Sequence, residues 1–248
     1  MKKFFLMLLA GIMFIWSASV LAYTINDTVN VGKGTTKGSE SSAIEWLDHI
    51  GNHFDTKGID VNMAGSNIII TMYTEFDGLY TYGGDNFYAA DLGLDLDLDG
   101  KYEYGVVLTH GTGGDQDYSA ALYKGGTWRP SYDVLEDNTI NNFHYGEFYP
   151  DDDNRKAWVK MDSGTKKGDV TINISSSPSG LWEWTLTIDK GLFDSGDLGN
   201  QMGIFWATGT CANDVVEGAV APVPSTLLLL GSGLLGFGLL SRRRKVNT

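Results

Sequence analysis

The chain has 248 residues, 42% of them hydrophobic and 12% aromatic, which is enough for one domain with a substantial core. Its formal net charge is −13, and six of its 18 basic residues cluster at the two chain ends. The part of the chain between these clusters therefore has 12 basic and 31 acidic residues, and its net charge is about −19. Such a body repels phosphate backbones and anionic lipids, which argues against nucleic-acid binding and favours cations or neutral partners such as sugars.

The first 22 residues have the pattern of a secretory signal peptide. Lys2 and Lys3 precede an apolar run over residues 4–16, and small residues lead from there to Ala22. We therefore predict export, with cleavage after Ala22 and Tyr23 at the mature N-terminus. The alternative is an uncleaved membrane anchor, but this run of 13 residues is shorter than the roughly 20 that cross a bilayer.

Residues 23–218 have the pattern of a single all-β domain. Apolar and polar residues alternate in four segments, at residues 67–73, 169–175, 180–189 and 201–207. Gly, Asn, Asp and Ser separate the runs at short intervals, as antiparallel strands require. The pattern predicts a two-sheet antiparallel β-sandwich of jelly-roll-like topology. Residues 39–54 alone have a helical pattern.

Three loops combine aromatic rings with carboxylate and amide groups, at residues 75–88, 125–133 and 141–150. Aromatic rings stack on the faces of sugars, while polar side chains hydrogen-bond the hydroxyls. We predict that these loops bind extracellular polysaccharide through five rings: Tyr80, Tyr82, Trp128, Tyr132 and Tyr145. The alternative is that the rings only fill the ends of the sandwich.

The stretch "LGLDLDLDGKYEYGVVL" is the most acidic part of the predicted sheet. Its leucines and aspartates alternate, which predicts a strand with Asp95, Asp97 and Asp99 about 7 Å apart on one face. Asp99 and Gly100 form a dipeptide typical of a two-residue hairpin turn, after which a second strand returns to Leu108.

The same residues have the spacing of the first positions of a calcium loop, Asp-x-Asp-x-Asp-Gly. In that interpretation Asp95, Asp97 and Asp99 are ligands of a structural Ca²⁺, with the carbonyl of Lys101 as a fourth. Position 12 is Val106, which cannot supply the closing carboxylate, and flanking helices are not predicted. A structural calcium site and an acidic strand with loose counter-ions therefore both remain open.

No arrangement of catalytic residues is evident, so we predict a non-enzymatic protein. A glycosidase needs two carboxylates across its sugar, and the candidates are Glu103, Glu147 and Glu183. Alternation turns Trp182 and Trp184 inward and Glu183 outward, which favours core tryptophans over a sugar platform. A polysaccharide-acting hydrolase is the less favoured alternative.

The C-terminal residues have the pattern of a membrane anchor. Residues 218–241 carry no charge and end in a leucine- and glycine-rich run, which is followed by Arg242, Arg243 and Arg244. Basic residues just after an apolar stretch stay on the cytoplasmic side. We therefore predict that residues 219–248 form a tail with one membrane helix, which holds the body outside the inner membrane.

The whole tail resembles the PEP-CTERM sorting signal of Gram-negative bacteria that make exopolysaccharide. It has the three parts of that signal: Pro222 and Pro224 followed by Ser225, then the leucine- and glycine-rich run, then the basic end. The family's usual glutamate between the prolines is Val223 here. The resemblance implies processing by an exosortase, a membrane cysteine transpeptidase-like enzyme, after a transient inner-membrane stage, and a final location at the cell surface or in the extracellular matrix.

The body itself resembles DOMON-like and family-nine-like carbohydrate-binding sandwiches, through its strand rhythm and the "DLDLDG" stretch. This likeness implies a sandwich that binds extracellular polysaccharide without catalysis. The alternative is a purely structural surface or biofilm protein with no affinity for glycans.

Overall fold

The computed structural model shows a domain built almost entirely of β-strands. It describes residues 22–26, 52–63, 65–82, 85–130, 158–199, 201–210 and 214–220. Within these ranges there are fourteen strands, two short 3₁₀ helices and no α-helix. No helix in this part of the chain is long and apolar enough to span a bilayer. The predicted signal peptide, the predicted tail helix and most of the predicted helical segment 39–54 lie outside the described residues.

The strands range from 3 residues in the ninth to 12 residues in the eleventh. Their bounds are β1 Ala22–Asn26, β2 Thr56–Asn62, β3 Asn67–Thr74, β4 Leu79–Tyr82, β5 Asp85–Tyr88, β6 Leu92–Asp95, β7 Tyr104–His110, β8 Tyr118–Lys124, β9 Trp128–Pro130, β10 Trp158–Met161, β11 Thr165–Ser176, β12 Trp182–Asp189, β13 Met202–Trp206 and β14 Val216–Val220. The 3₁₀ helices are Asn52–Phe54 and Lys190–Leu192.

Ten of these strands form one antiparallel sheet in the order β1-β2-β3-β12-β11-β8-β7-β6-β13-β14. Strand β11 joins two layers, because residues 165–170 pair with β8 whereas residues 171–176 pair with β12. The sheet therefore folds over on itself at β11, and its two outer strands, β1 and β14, lie side by side. The predicted all-β, two-layer antiparallel sandwich is confirmed, with a barrel-like closure at the β1–β14 seam. The hairpin β4–β5 and the antiparallel pair β9–β10 are separate two-stranded sheets.

The core lies between the two layers and follows the predicted alternation. Six residues of β3 and β12 that the period places inward are fully buried: Ile68, Ile70, Met72, Trp184, Leu186 and Ile188. Trp182, which the period also places inward, is half-buried and packs against this core from the start of β12. The rings of Trp184 and Trp206, from opposite layers, lie 6.2 Å apart. Their indole N–H groups donate to the carbonyls of Phe76 and Ala90, both at 3.1 Å, so the core buries both rings without leaving a polar atom unpaired. The core position predicted for Trp184 is confirmed.

One end of the sandwich carries both described ends of the chain. Val220 pairs with Met202 and Asp95 pairs with Gly203, so β14 and β6 end at the same edge. The alternation of ten antiparallel strands makes β1 antiparallel to β14, which places Ala22 at that edge as well. The chain segments that precede β1 and follow β14 therefore leave the body from a single end.

Candidate functional site

The connection between β6 and β7 is a loop and not the predicted two-residue turn at Asp99 and Gly100. Strand pairing stops at Leu94 and Tyr104, so that Asp95 is the last residue of β6. The Asp95 carboxylate accepts backbone hydrogen bonds from Leu98 at 2.7 Å and from Gly100 at 2.8 Å. These local bonds replace the strand ladder and wind residues 96–103 around one buried side chain.

The prediction that Asp95, Asp97 and Asp99 lie apart along one face of a strand is wrong. Oxygen atoms of Asp95, Asp97, Asp99 and Glu103 all lie within 4.8 Å of one another. Asp95 is only 6% exposed, whereas Asp97 and Asp99 are exposed. The loop curls, so it gathers carboxylates that an extended strand would keep apart. This group of four residues is called the acidic loop cluster below.

Glu103 is the member of the cluster that the sequence analysis did not include among the calcium ligands. Its Oε2 accepts the backbone N–H of Leu96 at 2.8 Å, which ties the two ends of the loop together. Counted from Asp95, Glu103 is position 9 of the calcium-loop pattern, where an acidic residue or a water commonly serves the ion. Position 12, Val106, is buried in the core and cannot ligate, as predicted from its side chain.

Lys101, predicted to offer its carbonyl, contacts the cluster through other atoms. Its backbone N–H donates to Asp99 Oδ1 at 2.9 Å, and its Nζ lies 2.6 Å from Asp99 Oδ2. The hydrogen bond from the Lys101 ammonium lowers the pKa of the Asp99 carboxyl below its usual value. The lysine thereby offsets part of the repulsion among the four carboxylates, and its role as a carbonyl ligand stays a prediction.

Of the five predicted ligand-binding rings, Tyr80 and Trp128 can be placed with their contacts. Tyr80 stacks on His53 with ring centres 4.4 Å apart and meets Phe54 edge-on. Trp128 packs edge-on against Tyr102 at 5.6 Å and donates its indole N–H to the Tyr102 carbonyl at 3.4 Å. These are packing contacts on two separate two-stranded sheets, β4–β5 and β9–β10, and the described residues form no shared platform.

The contacts of the other three predicted rings are not described by the structure. Tyr132 and Tyr145 lie outside the described residues, as does the side chain of Tyr82. Ligand binding by these residues stays a prediction.

The carboxylates considered for catalysis are also distributed over separate elements. Glu103 belongs to the acidic loop cluster, and Glu183 lies on the outward face of β12, paired with Tyr73 of β3 and Ser175 of β11. Glu147 lies outside the described residues. The absence of catalysis stays a prediction.

The outer face of β7, β8 and β11 holds a groove of about 360 Å³ that the sequence analysis missed. Its lining includes Val107, Thr109, Ser119, Ala121, Tyr123, Lys166 and Asp169. Cross-strand pairs organise it in rows, with Thr109 beside Ser119, Val107 beside Ala121 and Asp169, and Tyr123 beside Lys166. The small side chains of Ser119 and Ala121 leave the space. In the sequence, Ser119 and Ala121 do not indicate a groove until it is known that β8 lies between β7 and β11.

The comparisons with known proteins identify the tail. Residues 220–245 match the PEP-CTERM protein-sorting motif. The predicted resemblance is thus confirmed, and the PEP-CTERM motif supports export and processing by an exosortase-type enzyme, in a membrane-associated route toward the cell surface. The chain matches no curated protein and no solved structure. The likeness of the body to carbohydrate-binding sandwiches stays a prediction.

The boundary between body and sorting motif is sharp. Val220, the first residue of the matched motif, is also the last residue of β14 and is only 1% exposed. The last described strand of the body therefore ends at the residue where the PEP-CTERM motif begins.

Proposed function

We propose that the sandwich is a non-catalytic module that binds extracellular polysaccharide and that the PEP-CTERM tail delivers it to the cell surface or matrix. The observation that carries this proposal is the groove on the outer face of β7, β8 and β11. The rival is a structural surface protein that binds no glycan, and the experiment below separates the two.

The size and lining of the groove suit a sugar chain. Its volume of about 360 Å³ falls within the range of roughly 300–1,000 Å³ that is typical of small-molecule sites. Val107 and Ala121 form an apolar strip that can contact the C–H faces of a sugar ring. Thr109 and Ser119 offer hydroxyls that donate and accept, and Tyr123 adds an aromatic ring at one end of the rows.

The position of the groove also suits a protein displayed on a surface. The chain leaves the sandwich at the end that carries Ala22 and Val220, whereas the groove runs across the faces of three strands. If the protein is attached through the end that carries Val220, the groove lies on a side face of the sandwich and not at the attached end. The side chain of Asp169, at the rim, is 82% exposed, so the groove is accessible from solvent.

Retention on the extracellular polysaccharide of the producing cells tests the proposal. The mature exported protein is run through native gels that contain this polysaccharide, and its migration is compared with gels that lack it. We expect retardation of the wild type and a roughly tenfold weaker apparent affinity for Tyr123→Ala, equivalent to about 1.4 kcal/mol of lost contact.

The matched control is Tyr73→Ala, on the outer face of the other layer, where the Tyr73 hydroxyl donates to Asp60 at 3.1 Å. This variant should migrate as the wild type does. Equal loss in both variants would place the site elsewhere, and migration of the wild type unaffected by polysaccharide would favour the structural rival.

We further propose that the acidic loop cluster holds a structural Ca²⁺. Ca²⁺ takes six to eight oxygen ligands, and four converging carboxylates of Asp95, Asp97, Asp99 and Glu103 supply the hard, anionic donors that it prefers. The ion would neutralise the repulsion among them. Thermal unfolding with Ca²⁺ and with a chelator tests this, and a melting temperature that is the same in both would rule it out.

A further inference from the structure

The groove has an ionic pair at its rim, and this pair owes its position to a β-bulge. In the register of β11 and β8, Lys166 lies opposite Tyr123 and Asp169 lies opposite Ala121. The register shifts by one residue between Lys166 and Gly168. In a regular strand, residues three apart point to opposite faces. The extra residue, Lys167, reverses this, so Lys166 and Asp169 both point to the groove and their Nζ and Oδ1 atoms lie 2.6 Å apart.

We infer that the groove selects neutral polysaccharides over those that carry carboxylate or sulfate groups, and that Asp169 is the residue that excludes the anionic sugars. This inference rests on the proposed polysaccharide binding. It assigns the selectivity to a single exposed side chain.

The charges around the groove support this assignment. The groove lining includes one cation, Lys166, and the Asp169 carboxylate already neutralises it, which raises the pKa of the Lys166 ammonium. The other lysine of the bulge, Lys167, turns away and pairs with Asp194. An anionic sugar would therefore meet Asp169 without a cation to compensate it, in a body whose charge is about −19.

A neutral sugar meets no such penalty. A carboxylate only accepts hydrogen bonds, so Asp169 pairs naturally with sugar hydroxyls that donate. The Lys166 ammonium and the hydroxyls of Thr109 and Ser119 can bind the oxygens of the same sugar. The bulge thus places one strong acceptor and one strong donor side by side, and both suit vicinal hydroxyls.

The test uses the extracellular polysaccharide of the producing cells, divided on an anion exchanger into a neutral and an acidic fraction. Retention of the mature protein is measured in each fraction at low salt and at about 0.15 M salt, where surface charges more than about 8 Å apart are screened. We expect the wild type to bind the neutral fraction at least tenfold more tightly. Asp169→Asn should improve binding of the acidic fraction at least threefold and weaken binding of the neutral fraction a few-fold, because the neutral amide is a weaker acceptor for sugar hydroxyls than the carboxylate.

The control is Asp162→Asn, which removes an exposed carboxylate that pairs with Arg129 beside the β9–β10 sheet and does not line the groove. It should change neither measurement. Preference of the wild type for the acidic fraction, or selectivity unchanged in Asp169→Asn, would overturn this inference while polysaccharide binding stands. Retention of neither fraction would refute the proposed function itself.

Discussion

Ile25 of β1 packs directly against Gly218 of β14, so closely that a Cβ at position 218 would lie 2.5 Å from Ile25 Cγ2. This contact closes the seam between the two outer strands of the folded sheet. The missing side chain at position 218 makes room for Ile25, which is only 9% exposed. The seam is therefore a packed part of the core.

Gly218→Ala should destabilise the domain by about 1–3 kcal/mol, because a methyl group forced against a β-branched side chain overpacks the seam. The free energy of unfolding is measured by urea denaturation of the mature protein. Gly199→Ala is the control, since its Cβ would meet no atom closer than 4.0 Å. Equal stability of the two variants would show that β1 does not dock on β14 as described.

The sequence predicted the layers of this fold better than its connections. The core faces of β3 and β12 follow the inward alternation expected for Ile70 and Trp184, because burial on one face of a strand fixes a period of two. The predicted two-residue turn at Asp99 and Gly100 was wrong, because the Asp95 carboxylate accepts backbone N–H groups within its own loop. The alternation of apolar and polar residues does not reveal such bonds. The ionic pair at the rim of the groove depends on a bulge at Lys167, and the register of β8 and β11 must be known before that bulge can be located.

The fully buried carboxylate of Asp91 should be essential for holding the β9–β10 sheet against β7. It accepts the backbone N–H groups of Leu108 and Met161, both at 2.8 Å, and lies 3.4 Å from Lys160 Nζ. Burial raises the pKa of this carboxyl despite these donors.

We expect Asp91→Ala to cost about 2–4 kcal/mol, since it leaves two buried N–H groups without an acceptor. Chemical denaturation measures the loss, and the exposed substitution Asp162→Asn should cost less than about 1 kcal/mol. A loss below about 1 kcal/mol for Asp91→Ala would mean that other contacts hold the β9–β10 sheet.

Stability should fall in acid through the ion pairs of Asp194. Hydrogen bonds from Lys124 and Lys167 lower the pKa of Asp194 to about 2 from its ordinary 3.8. Because the folded pKa lies below the unfolded one, this stabilisation is complete above about pH 4 and is lost as the pH falls toward 2.

The melting temperature between pH 5 and pH 2 measures this dependence. Asp194→Asn should lower the melting temperature at pH 5 and flatten its decline in acid. Asp169→Asn, which removes an exposed partner of Lys166, serves as the control and should keep the slope of the wild type. A decline in Asp194→Asn as steep as in the wild type would assign the acid sensitivity to other groups.

Substitutions of Asp95 and Asp97 should distinguish the residue that shapes the acidic loop from the residues that bind Ca²⁺. Among the described residues, Asp95 accepts three backbone N–H groups, from Leu98, Asp99 and Gly100, whereas exposed Asp97 accepts that of Asp99 alone, at 3.1 Å. In chelator, Asp95→Ala should therefore cost about 1–3 kcal/mol and Asp97→Ala less than about 0.5 kcal/mol. Urea denaturation in chelator measures both values.

Addition of Ca²⁺ should then reveal a role that both residues share. A ligand that binds only the folded state raises stability by RT ln(1 + [L]/Kd), so the wild type should gain stability as Ca²⁺ increases. Both variants should lose most of this gain, because each removes one of the four converging carboxylates. A Ca²⁺-dependent gain that survives in Asp97→Ala would place the ion outside the acidic loop cluster, and this outcome would leave the role of Asp95 in shaping the loop intact.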